Sequence, residues 1–189
     1  MGKRERLDVD FFRDRQLITI LAQGSDRDAA ILGGAILEEL LNRLLSKKLV
    51  QSAIFNDAID NSNGSLSTFS NKIQISYLIG AISKRMYDDL NKIRKIRNMF
   101  AHHIVGCSFD NNAIQSIVDS LSFAKLPLFD KWLPAASVKE RFLMHCTLIE
   151  IAIVKKIVRY NSIQECSDET NNLGFEEPDW EYLESEIEC

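Results

Sequence analysis

The segment RKIRNMFAHH, residues Arg94–His103, holds two of the chain's three histidines together with two arginines, a lysine and an asparagine. Three of these, Arg97, Asn98 and His102, form a set that suits chemistry on a phosphodiester. An imidazole can take or give a proton near neutral pH, a guanidinium can offset charge growing on phosphoryl oxygens, and an amide can orient either one. None of these steps calls for a metal. Arg94 and His103 flank the set and would add binding contacts.

Spacing decides which of these side chains share a face. At about 100 degrees per residue, Met86, Leu90, Ile93, Ile96 and Phe100 fall on one apolar arc, and Arg97 falls inside it. A guanidinium turned toward a core has to meet a carboxylate, carbonyls or an oxyanion. Arg94, Asn98 and His102 follow one another at intervals of four and so stack along a polar edge beside that arc. An architectural alternative stands next to the catalytic one: Arg97 bridges to Glu38, Glu39 or Asp89, while His102 and His103 sit in the last helical turn, where cations favour the helix dipole.

Other constellations carry less. His145 and Cys146 are adjacent in a helical pattern with no third member, which reads as core. The pairs Glu38-Glu39 and Asp88-Asp89 diverge around a helix and cannot both face one site. Cys107, Cys146, Cys166 and Cys189 form no CxxC pair and have no histidine at ligand spacing, so neither a zinc site nor a disulfide framework is expected. No glycine-rich phosphate loop is present, and no cofactor or metal is expected.

The elements that must position these residues are helical. Phe11, Phe12, Leu17, Ile18 and Leu21 suggest a helix ending near Gly24. Ser25 or Asp26 caps a second one running through Leu49, with the paired glycines Gly33 and Gly34 at an expected close approach of another backbone. DNSNGS, Asp60–Ser65, reads as a loop. Further helices are expected over Ser67–Ile79, stopped by Gly80, over Ser83–His103, over Asn111–Phe123 and over Val138–Tyr160; Pro127 and Pro134 separate the last two. No sustained period-two alternation and no repeat occurs. The fold class is therefore all-α: a single compact bundle of about six to eight helices over residues 1–160, followed by an acidic tail over 161–189.

Composition agrees with an ordinary globular chain of 189 residues, with 46% hydrophobic and 26% charged residues. Apolar runs such as LIEIAIV, Leu148–Val154, are too short to span a bilayer, and the first residues carry no leader pattern, so no membrane association and a cytoplasmic location are expected. Charge is split. All 23 Lys and Arg lie at or before Arg159, whereas ten of the 27 acidic residues lie from Glu165 onward, giving a body of +6 and a tail of −10. Phe175, Trp180 and Tyr182 stand among those carboxylates, so the tail can anchor onto a partner or back onto the basic body.

Longer phrases carry a resemblance. FSNKI at Phe69–Ile73, DLNKIRKIRN at Asp89–Asn98, FAH at Phe100–His102 and DRDAAILGGAILEELLNRLL at Asp26–Leu45 resemble the MltR family, the mannitol operon repressor and its relatives, over roughly Gln16 to Tyr160. The resemblance implies a helical fold and a transcriptional regulator of sugar-alcohol uptake. No helix-turn-helix phrase supports direct operator binding, so direct DNA binding is not expected and contact with another protein is. The form Arg97-Asn98-x-x-x-His102 also resembles the Arg-x4-His motif of HEPN domains. That resemblance implies the alternative of a metal-independent endoribonuclease of toxin or defence systems, with Arg97 stabilising the cleaved phosphate, His102 activating the ribose 2′-hydroxyl and Asn98 orienting the pair at a homodimer interface. The expected partners are accordingly another regulator or an antitoxin, with RNA and a second copy of the chain under the enzyme reading.

Overall fold

The computed structural model describes residue 21, residues 23–102, 106–122 and 136–160. His103, the segment holding Pro127 and Pro134, nearly all of the expected first helix and the whole acidic tail lie outside the described residues. Among the described residues there are six complete helices and no strand: α1 Asp26–Lys48, α2 Ala53–Asp60, α3 Phe69–Leu78, α4 Lys84–His102, α5 Asn112–Asp119 and α6 Val138–Arg159. The all-α reading holds. No helix among them is long and apolar enough to cross a membrane.

The two longest helices start in the same way. Ser25 accepts from Asp28 N–H while the Asp28 carboxylate accepts back from Ser25, and Ser137 and Glu140 repeat the arrangement at the head of α6. These reciprocal capping boxes satisfy amide groups that have no partner inside the helix. The carboxyls of Asp28 and Glu140 are held below the ordinary range by those serine hydrogen bonds. Ser52, Thr68 and Asn111 cap α2, α3 and α5 with single side-chain acceptors.

Helix α1 is the spine. Its buried residues Ala30, Leu37, Leu41, Leu44 and Leu45 meet α6 along one side and α4 along another. Contacts at the ends set the directions. Lys139 reaches the Gly24 carbonyl and Asp26 at one end, and Lys48 Nζ lies 3.5 Å above the Tyr160 ring at the other, so α1 and α6 run parallel. Arg27 donates to the Ala101 carbonyl, and Glu38 faces Arg97, so α4 runs antiparallel to α1. Ile93, Ile96 and Phe100 of α4 and Phe142, Ile149 and Ile153 of α6 complete the core. Phe109, between α4 and α5, bridges Phe100 and Phe142 with ring centroids 5.0 and 5.2 Å away.

Two details of the sequence reading are corrected. The glycine pair of α1 does not admit another backbone. A β-carbon on Gly33 would meet the Phe142 ring at 3.4 Å and Cys146 Sγ at 3.5 Å, and one on Gly34 would meet the stem of Arg97. The space that glycine leaves is filled by side chains. Helix α2, unread in the sequence, is short and buries none of its residues; Ile54 on it is 83% exposed. The stop at Gly80 is borne out by a φ of +69°, a left-handed value that glycine adopts without a steric cost.

Candidate functional site

Helix α4 carries the site because its sequence pattern serves two faces. Met86, Leu90, Ile93, Ile96 and Phe100 are buried against the bundle. The opposite polar edge borders an open surface recess of about 540 Å³, and every described residue that lines it belongs to α4. Arg94, Asn98 and His102, expected to stack at intervals of four, line it together. Asn91, Lys92, Lys95 and Met99 line it as well and were not singled out from the sequence. The signal for them lay in the same wheel: Asn91 is four residues before Lys95, and Lys95 four before Met99.

Among the described residues the lining has one sign of charge. Lys92, Arg94 and Lys95 contribute three cations and His102 an imidazole, and no described carboxylate belongs to it. Lys92 is partly committed, donating to the Ser120 carbonyl at 2.6 Å with Asp89 at 3.8 Å. Among the described residues Arg94 reaches only the amide oxygen of Asn91, at 3.3 Å, and its Nε is shielded from solvent without a hydrogen-bond partner there. Lys95 is exposed and forms no ion pair among the described residues. Grouped cations raise the local concentration of anions.

Arg97 takes a different course. Its stem passes over Gly34 and its guanidinium comes within 3.8 Å of Glu38 Oε2, while Nη1 donates to Asn98 Oδ1 at 3.3 Å. Glu38 also accepts from Lys72 Nζ at 3.2 Å, so one carboxylate of α1 answers a cation from α3 and another from α4. Of the three carboxylates named from the sequence as partners for Arg97, it is Glu38 that pairs with it. Glu39 faces outward and pairs with Arg43, and Asp89 is fully buried elsewhere. Arg97 is not among the residues lining the groove, whereas Asn98 both lines it and touches Arg97.

A second polar centre lies behind α4. Asp89, with no exposed surface, accepts from the Ser122 backbone N–H at 3.0 Å and from the Ser122 hydroxyl, and Arg85 donates to that hydroxyl at 2.7 Å and to the Ser122 carbonyl. This fastens the turn after α5 onto α4. Asp88, one residue earlier, points outward to Lys84, as expected for adjacent carboxylates on a helix. His145 and Cys146 are both buried, in line with a core role. Burial pushes the His145 pKa down to about 4, Arg141 lowers it further and Asp89 opposes the shift. Burial likewise raises the Cys146 thiol, which disfavours a reactive thiolate. Among the described residues, no group of three or more His, Cys, Asp or Glu is arranged to hold a metal ion.

No protein-family model matches the chain, and no curated protein matches it. Among solved structures, the bundle superposes on a chain of the X-ray structure of the MtlR–HPr complex from Escherichia coli with a TM-score of 0.55. The fold is MtlR-like. The match covers 76% of this chain and 97% of that one at 18% sequence identity, so it is the arrangement of helices that the two share. The fold expected from the MltR resemblance is thereby met.

Proposed function

We propose that this protein is a regulatory protein of the MltR type that acts by binding another protein, with the cationic groove of α4 as its contact surface. The observation that carries the reading is the MtlR-like fold, whose solved counterpart was crystallised as a complex with the protein HPr. The groove adds a physical reason: Arg94 and Lys95 are presented together with no carboxylate among the described residues to neutralise them, which favours a partner surface bearing acidic groups. HPr is the first partner to test. Titration calorimetry of the purified chain with HPr should detect binding, weakened at least about tenfold in an Arg94→Glu/Lys95→Glu variant, since reversing two contact charges costs more than about 1.4 kcal/mol. Absence of binding, or equal binding by the variant, would overturn the assignment.

The ribonuclease alternative rests on Asn98, which touches Arg97 and lines the same groove as His102. The pairing of Arg97 with Glu38 favours the architectural role for that guanidinium. We therefore place protein binding first and keep cleavage of RNA by Arg97, Asn98 and His102 as the reading to be excluded.

A further inference from the structure

We propose that the chain's own acidic C-terminal segment, centred on EEPDWEYLE at Glu176–Glu184, docks in the α4 groove and shields it from a partner. The shielding clause rests on the groove being the partner-binding surface; the docking clause does not.

Charge complementarity comes first. The groove offers Lys92, Arg94, Lys95 and His102 with no carboxylate among the described residues of its lining, and residues 161–189 hold ten carboxylates and no Lys or Arg. Complementarity extends to the apolar part, because Met99 lies among the cations and Trp180 and Tyr182 lie among the carboxylates. Methionine sulfur and aromatic faces attract one another, and an arginine or lysine over an aromatic ring adds a cation–π contact.

Reach comes second. Tyr160, the last described residue, has its ring against Lys48 at the C-terminal end of α1. Because α4 runs antiparallel to α1, Tyr160 lies toward the Lys84 end of α4. From Lys84 to the Arg94–His102 stretch is roughly 15–27 Å along the helix axis at 1.5 Å per residue. The residues from 161 to 176 can extend about 50 Å, ample for a path around the surface. Tethering also presents the segment at an effective concentration on the order of millimolar, so a handful of exposed ion pairs, each worth little alone, can hold it.

The test uses the full chain without any partner. Acylation of Lys95 by an amine-reactive ester, followed by peptide mass spectrometry, is compared between the native chain and a Glu176→Gln/Glu177→Gln/Asp179→Asn/Glu181→Gln variant, with the exposed Lys84 as internal reference. Docking predicts Lys95 labelling at least about threefold slower in the native chain at low salt, with the difference lost near 0.5 M salt as screening shortens the range of the ion pairs. Carbodiimide coupling should also join Lys95 to a carboxylate of residues 176–188 within one chain. Equal labelling rates, or links that join two chains, would overturn the proposal. Equal rates alongside intact HPr binding would remove the docking alone, and slow labelling without HPr binding would remove the partner assignment alone.

Discussion

The stem of Arg97 lies across Gly34: a β-carbon on that glycine would stand 2.9 Å from Arg97 Cγ and 3.2 Å from Cβ. Rotation about χ1 would move Cγ only by drawing the guanidinium away from Glu38 and Asn98, and Cβ stays in place unless α4 shifts against α1. Gly34→Ala should therefore lose stability despite a gain of about 1 kcal/mol in helix propensity, with a net cost of about 1–2 kcal/mol. Gly33→Ala meets only ordinary contact distances to Phe142 and Cys146 and should be neutral or stabilising by up to about 1 kcal/mol. Urea denaturation of the two variants decides it, and equal effects would contradict the packing described.

Glu38 answers two cations, which makes it less replaceable than either. Arg97→Gln leaves Glu38 with Lys72, whereas Glu38→Gln strands Lys72, whose side chain is only 10% exposed. The expected losses are about 1 kcal/mol for Arg97→Gln and about 2 kcal/mol or more for Glu38→Gln. Thermal melts showing the reverse order would point to a different partner for Lys72.

His102 is exposed and has no hydrogen bond within the described residues, so His102→Ala should shift stability by less than about 0.5 kcal/mol. The same variant tests cleavage. Under the protein-binding reading, total RNA incubated in EDTA gives one profile with the native chain and the same profile with His102→Ala. RNA degraded only by the native chain would establish catalysis instead.

Buried His145 makes stability depend on acid. Its pKa falls from an ordinary 6.5 to about 4 on folding, chiefly through burial. Between those values the unfolded chain takes up a proton that the folded chain refuses. The contribution is thus fully present above about pH 6.5 and lost as pH falls toward 4, amounting to roughly 3 kcal/mol. Asp28 and Glu140, whose pKa values are lowered, act in the same direction at lower pH. A His145→Gln variant should show a flatter stability profile between pH 6.5 and 4; an unchanged slope would assign the acid sensitivity elsewhere.

Much of this arrangement was legible from periodicity. The α1, α3, α4 and α6 boundaries lie within about two residues of the expected ones, since apolar spacing, serine and threonine caps and Gly80 all act locally. The polar strip of Arg94, Asn98 and His102 followed from the same spacing. What sequence could not supply was the identity of long-range partners. That Arg97 needs a carboxylate partner was readable, whereas the choice of Glu38 over Glu39 and Asp89 depended on how α1 rotates against α4. Asp89 itself lies three residues after Met86 and four before Ile93, a spacing that marks it as inward-facing, yet its partner Ser122 comes from a turn 33 positions away. Helix α2 escaped notice although Phe55, Ala58 and Ile59 recur at helical spacing behind the Ser52 cap, because at eight residues it is barely two turns long.

The parallel course of α1 and α6 has a kinetic consequence. These helices share the most extensive contact in the bundle, yet Lys139 and Gly24, which meet at its start, are 115 positions apart in the chain. Closing so large a loop is entropically demanding, and the apolar side of the spine must wait for its mate until nearly the whole body has left the ribosome. A nascent chain arrested before Ser137 would leave the flank of α1 around Gly33 without Phe142 and Cys146 to cover it, an invitation to chaperones or to premature association with neighbouring chains.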